Sequence, residues 1–191
     1  MPRTSDARAK ALATAERLFR VQGLAATGLA QIIAESGSPK GSFYFHFPGG
    51  KDQLAAEVAA GFAARGLAAI QQVAAGTPGD AAGFVSRLCA AFAREMRASG
   101  FTLGCALQNI AVEKAPADAA LTALLVDGLG RWIDAIAAHL DSCGTPRAGE
   151  AALALVAALE GARTLARVQQ SDAVYTAIAQ NFTANWIIGE R

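Results

Sequence analysis

Between Thr27 and Lys51 the sequence TGLAQIIAESGSPKGSFYFHFPGGK gathers Lys40, Ser42, Tyr44 and His46 within one short segment. An ammonium, a hydroxyl, a phenol and an imidazole on an outer surface suit hydrogen bonding to phosphate oxygens and base edges. The rest of the chain offers no rival chemistry. No nucleophile stands beside a base, and no His, Cys or acid set has metal-ligand spacing, so an all-helical enzyme is disfavoured and neither cofactor nor metal is expected. His139 falls near the end of a long helix, where a cation suits the dipole, and reads as a capping or surface residue.

These donors need a scaffold. Leu12, Ala15, Leu18 and Phe19 define one face of a first helix over 5–22 that Gly23 ends. Thr27 reads as the N-cap of a second helix over 28–35, with Leu29, Ile32 and Ile33 inward. Gly37 makes the turn, Ser38 is placed to cap, and Pro39 suits the first position of a third helix that runs to His46. Phe43 and Phe47, spaced i,i+4, anchor that helix and leave Lys40, Ser42, Tyr44 and His46 near its outer surface. Gly41 permits a close approach to a duplex. A stub, a tight corner and a second short helix with one polar side form the layout of a DNA-reading helix-turn-helix, a pattern that an ordinary helical corner shares.

Composition widens the frame. About a quarter of the 191 residues are alanine, with many leucines and no alternating apolar and polar stretch, which gives an all-α class. The periodicity places later helices at 51–75, 80–98, 105–114, 117–141, 146–169 and 172–188, so about nine in all. The economical division is a DNA-binding domain over 1–50 and a helical ligand-binding and dimerisation domain over 51–191. Residues 1–51 carry seven Lys and Arg against three acids, a balance of +4, within a chain whose net charge is +1. Any polyanion is therefore expected at the N-terminal quarter. Apolar runs such as 151–159 fall short of the ~20 residues a bilayer crossing needs. No signal-peptide pattern opens the chain, and no membrane partner and a cytoplasmic location are the expectation. Cys89, Cys105 and Cys143 lie far apart, odd in number, and read as reduced thiols.

The segment from residue 6 to about 60 resembles the N-terminal domain of TetR/AcrR-type transcriptional regulators. The likeness is carried by AERLFRVQGLAAT, the Gly37 turn, Lys40-Gly41-Ser42 with Phe43-Tyr44, and His46-Phe47-Pro48 leading to Lys51-Asp52-Gln53-Leu54. Ser38-Pro39, the longer Pro48-Gly49-Gly50-Lys51 linker, and Gly104-Cys105 followed by a short helix with Glu113 resemble the LmrA/YxaF-like branch. The resemblance implies that Thr27, Tyr44, His46 and Lys51 hold phosphates while Ser38, Pro39, Lys40 and Ser42 face base edges. Lys40 is the only long cationic donor on that face, and Pro39, unable to donate, would contact a thymine methyl. Arg3 and Arg8 are candidates for the DNA backbone or minor groove, or are solvated charges.

The same likeness implies a ligand-released repressor that reads a roughly palindromic double-stranded operator as a homodimer. A small apolar or aromatic effector is expected in the C-terminal body, near Phe92, Met96, Leu103, Cys105, Gln108, Asn109, Trp132 and Arg163. The large apolar members of that set also read as ordinary core. Cys105, among apolar neighbours, reads as a buried wall residue, with an oxidant-sensing thiol as the alternative. The last two helices carry Ala151, Leu155, Leu159, Ala162 and Ala166 on one side and Tyr175, Ile178, Phe182 and Trp186 on the other. Such faces bury within the subunit or in a two-fold four-helix interface.

Overall fold

A computed structural model describes residues 4–187. In chain order the helices are α1 (Thr4–Gln22), α2 (Leu29–Ser36), α3 (Lys40–His46), α4 (Gly50–Ala75), α5 (Ala81–Ala98), α6 (Ala106–Lys114), α7 (Ala119–Ser142), α8 (Ala148–Gln169) and α9 (Ala173–Phe182). A π-helical turn, Thr183–Ile187, follows. The described residues contain no strand. Arg3 lies outside the described residues.

The described residues pack as two compact units, one within 4–63 with 104–128, the other within 64–103 with 129–187. In the first, Leu18, Phe19, Leu24, Ile32, Phe43, Phe47 and Leu54 are buried together as the small core of the helix-turn-helix. The rings of Phe43 and Phe47 lie 5.2 Å apart, as their i,i+4 spacing requires. Each such ring contributes about 1.5–3 kcal/mol by leaving water, which a seven-residue helix needs because it cannot hold itself. Left-handed glycines end the scaffold helices: Gly23 at φ +87° after α1 and Gly37 at φ +66° after α2, where its N–H caps the Ala34 carbonyl. A side chain at either position would strain the backbone.

α6 packs in this same unit, against α1. The Gly104 N–H donates to the Arg20 carbonyl at 2.8 Å, and Arg20 Nε returns a bond to the Gly104 carbonyl at 2.8 Å. The Arg20 guanidinium also sits 5.0 Å from the Phe62 ring centre, so this buried cation is a packing element rather than a surface charge.

The second unit is built from α5, α8, α9 and the later parts of α4 and α7. Asp80 caps α5 by accepting from the Gly83 N–H at 2.8 Å. α5 then buries Phe84, Val85, Leu88, Cys89 and Met96. Trp132 packs flat against α4 at Gly66, where an added Cβ would lie 2.2 Å from ring carbon Cζ2. His139 is enclosed between Phe84, whose ring is 4.4 Å away, and Thr77, whose Oγ1 is 3.4 Å from Nε2. Burial lowers its pKa, which disfavours the charged form that would suit the helix end.

The face of α8 assigned by periodicity to a possible subunit interface is internal. Ala151, Leu155, Leu159, Ala162 and Ala166 are all buried within the chain, as are Tyr175 and Phe182 of α9. The opposite side of α8 is the one left open, with Leu153, Leu165 and Val168 at 57, 50 and 77% exposure and Ala157 and Gly161 between them. Two apolar faces on one helix cannot be ranked by period alone, because an alanine side satisfies a core and an interface equally well.

By length and composition alone, α4 is apolar enough for a bilayer crossing, although no uninterrupted apolar run of that length exists in the sequence. Alanine supplies most of that apolarity, which makes this a weak signal.

Tyr175 gives the first expected result. Its hydroxyl is buried without a hydrogen-bond partner, and burial pushes the phenol from 10.0 up to about 12. Tyr175→Phe should therefore raise stability, by about 1 kcal/mol or more, since an unsatisfied buried hydroxyl is removed. The neutral phenol contributes fully below the unfolded value near 10.0 and its contribution is lost as pH rises towards about 12, so the variant should lose less stability over that span. Burial also raises Cys89 to about 11, leaving a shared alkaline decline in both proteins. Denaturant melts at neutral and alkaline pH check this; a destabilised Tyr175→Phe protein contradicts it.

Candidate nucleic-acid interface

The solvent side of the helix-turn-helix is α3. Pro39 is exposed at its N-cap rather than inside its first turn, followed by exposed Lys40 and Gly41. Tyr44 is 45% exposed and packs edge-on against Phe43 at 5.6 Å, while Ser42 is half-buried. A Cβ at Gly41 would meet nothing within 4 Å, so internal packing does not require glycine there. Among the described residues Lys40 makes no hydrogen bond or ion pair. Other cations of the first unit are engaged. Arg8 pairs with Glu57 at 2.5 Å and lies over the Phe47 ring at 5.4 Å, Lys10 pairs with Asp6 at 2.9 Å, and Arg17 pairs with Glu35.

Four of the residues expected to meet DNA are buried or half-buried and turn polar atoms inward. Thr27 is fully buried, and its hydroxyl donates to the Gly23 carbonyl at 2.6 Å; the N-cap of α2 is Gly28. Ser38 is buried, donating to the Ala7 carbonyl of α1 at 3.2 Å, and caps nothing. Lys51 turns its ammonium onto the carbonyls of Leu24 at 3.0 Å and Thr27 at 3.2 Å, with Ala25 at 3.5 Å, so its donors serve the α1–α2 connection. His46 is half-buried, and its Nε2 is enclosed without a partner while its ring rests against Phe45 and Phe47.

Phe45 is the surface group that the residue types concealed. At 80% exposure it is the most exposed large hydrophobic side chain of α3. Lys40, Ser42, Tyr44 and His46 alternate with period two, whereas a helix turns about 100° per residue. With Phe43 and Phe47 inward, Phe45 lies roughly 200° around and must face out. The helical phase carried that signal, and the apolar side chain masked it. An exposed aromatic on a reading helix is suited to thymine methyls and sugars.

The expected effector residues fall into different places. Cys105 is fully buried at the N-cap of α6, which removes the exposure an oxidant-sensing thiol needs. Asn109 Nδ2 donates to the Phe19 carbonyl at 2.8 Å, and Gln108 lies half-buried on the same helix. Phe92 and Trp132 do come together in the second unit, lining a cavity of about 20 Å³ with Ile70, Leu88, Ile136 and Glu160. That volume holds about one water. Met96 is buried in α5 and Leu103 half-buried, neither on this lining. Arg163, only 6% exposed, lies 4.6 Å over the Phe92 ring and donates to Glu95 at 2.8 Å. A more polar groove of about 350 Å³ runs between α5 and α9, lined by Ser86, Arg97, Asp172, Tyr175 and Gln180 among others.

An all-helical chain with a short reading helix presented on a helix-turn-helix unit defines a DNA-binding regulator rather than an enzyme. Residues 11–58 match the model of the bacterial regulatory proteins of the tetR family, and residues 81–181 match the C-terminal domain of LmrA/YxaF-like transcriptional regulators. The chain belongs to the TetR family of transcriptional regulators, with an LmrA/YxaF-like C-terminal domain. It is 31% identical over 170 residues to an HTH-type transcriptional regulator of Mycobacterium tuberculosis, covering 85% of each chain. Against the HTH-type transcriptional regulator LmrA of Bacillus subtilis it is 65% identical over 52 residues, 27% of this chain and 28% of that one. The chain thus spans under a third of LmrA's length in that match. A regulatory protein TetR from Rhodobacter sphaeroides shares the fold, with TM-score 0.84, 18% identity, and coverage of 95% of this chain and 99% of that one.

Proposed function

We propose that this regulator is a repressor which binds a roughly palindromic operator as a homodimer and is released from it by a small apolar or aromatic effector. The observation that carries the reading is α3, which is anchored by two buried phenylalanines and offers Pro39, Lys40, Tyr44 and Phe45 to solvent. In this reading Lys40 takes a base edge, Ser42 and Tyr44 donate to phosphate or base, and Pro39 and Phe45 touch apolar base surface. Residues 1–50 read DNA and 51–191 sense and pair, in a cytoplasmic protein.

Dimerisation through α8 and α9 is supported by the open row of Leu153, Leu165 and Val168, an apolar side that a lone subunit leaves in water. A dimer with two reading heads requires operator half-sites about one helical turn apart. The effector reading is supported by the Phe92 and Trp132 cavity, which must widen to admit more than a water. Its wall is apolar except for Glu160, which favours a ligand with one polar or cationic group on an apolar body. An effector shifts the equilibrium only by its differential affinity for the two states, and at one hundred times its Kd adds ~2.7 kcal/mol to the state it prefers.

The test selects a duplex with purified protein from a randomised pool, then screens aromatic and apolar compounds for both thermal stabilisation and release of that duplex. Compounds that do both, and lose both effects in Trp132→Ala, are the expected result. A chain that enriches no two-fold-related sequence contradicts the operator reading. Compounds that stabilise without releasing DNA contradict the effector reading.

A further inference from the structure

The resemblance to the LmrA/YxaF-like branch rests partly on Gly104, Cys105 and a following Glu113, none of which the reading of DNA absorbs. Their geometry within the first unit is specific. Glu113, on the last turn of α6, accepts from two consecutive backbone N–H groups, Leu24 through Oε1 at 2.8 Å and Ala25 through Oε2 at 2.5 Å. Both belong to the short connection from α1 to the stub helix α2. Four residues earlier on the same side of α6, Asn109 bonds the Phe19 carbonyl, and Gly104 exchanges its two bonds with Arg20.

Two glycines admit this arrangement. A Cβ at Gly23 would stand 2.7 Å from Glu113 Oε1, and one at Gly104 would stand 3.0 Å from the Arg20 carbonyl. From the other side Lys51 donates to the Leu24 and Thr27 carbonyls. The connection of residues 24–27 is therefore held through its N–H groups by a carboxylate of α6 and through its carbonyls by an ammonium of α4. Lys114 of α6 also pairs with Asp52 of α4 at 2.8 Å, tying the two holders together.

We propose that Glu113 is a positioning residue for DNA binding: its carboxylate fixes the α1–α2 connection to α6 and so sets the direction in which α2 and α3 leave the scaffold. The inference rests on the reading of α3 as the helix that meets DNA. The physical reason is local. Carboxylate bonds to N–H groups are stronger than neutral ones, and the connection has no helix of its own to keep it rigid. A change of a few degrees at residues 24–27 displaces the far end of α3 by more than a hydrogen bond tolerates.

Glu113 is exposed, so its replacement opens no core cavity. Glu113→Gln keeps shape but loses the charge and presents an NH₂ where one N–H must be accepted; Glu113→Ala removes both acceptors. The full-length chain would be compared with both variants on a duplex selected by the wild-type protein, together with global melting and amide hydrogen exchange. The expected result is a loss of about tenfold or more in operator affinity, an unchanged salt slope and a melt lowered by no more than about a few degrees. Faster exchange should be confined to Leu24, Ala25 and the residues following them, whereas a bond that merely held the unit together would, once lost, speed exchange throughout the unit. Failure of the wild-type protein to select any duplex removes the underlying reading. A selecting wild type with variants that bind within about twofold of it overturns this inference alone, as does a variant whose whole melt falls by ~10 °C or more.

Discussion

Leu165→Arg is expected to convert a dimer into a folded monomer and to lower operator affinity by about two orders of magnitude, because one reading head keeps only half of the contacts. Leu165 is half-exposed on α8, in line with Leu153 and Val168, and a charge there meets water in the lone subunit. In a two-fold interface through this side the same charge would be buried, costing the apolar burial of about 1.5–3 kcal/mol per leucine and adding desolvation. Ala166→Arg, one residue away, should behave differently. Ala166 is fully buried inside the subunit, so arginine there overpacks the core and leaves a charge unsolvated, and the chain should lose its cooperative melt. Sedimentation and circular dichroism separate the two outcomes. A Leu165→Arg protein that sediments as wild type places the subunit contact elsewhere.

Lys40→Ala is expected to relax base preference at one position in each half-site and to weaken the selected operator by about 1–3 kcal/mol per half-site, hence thirtyfold or more for a dimer. Phe45→Ala should also weaken specific binding, with a smaller change in salt dependence because it removes no charge. Lys51→Ala should act by another route. Its ammonium serves the Leu24, Ala25 and Thr27 carbonyls, so its loss should lower the stability of the first unit and weaken every sequence in proportion. Competition titrations against single-base operator variants, with melts beside them, distinguish these patterns. Equal preference in Lys40→Ala and wild type would remove Lys40 from base reading.

The sequence by itself determined the order and type of the helices. Gly23, Gly37, Pro39 and the alanine-rich periodic stretches act over a few residues, and the boundaries they set hold to within a residue or two for most helices. Local signals also gave the anchors of the reading helix, because Phe43 and Phe47 need only one helical turn to fall on one side. The family likeness was legible for a related reason: a seven-residue helix tolerates few sequences that both bury a face and leave donors outside.

Tertiary structure decided which polar groups are spent at home. Nothing near Ser38 or Lys51 in the chain reveals that their donors end on the Ala7 and Leu24 carbonyls, since those acceptors are met only through the way loops and helices pack, whereas the Thr27 bond to Gly23 is local, four residues back. The role of Glu113 depends on a separation of almost ninety residues from Leu24 and was visible in the sequence only as a branch feature without a reason. Likewise both sides of α8 carry apolar residues, and only the packing of α5 and α9 against one of them leaves Leu153, Leu165 and Val168 in water. A helix carries its phase in its sequence, but which side meets a neighbour is a property of the neighbour.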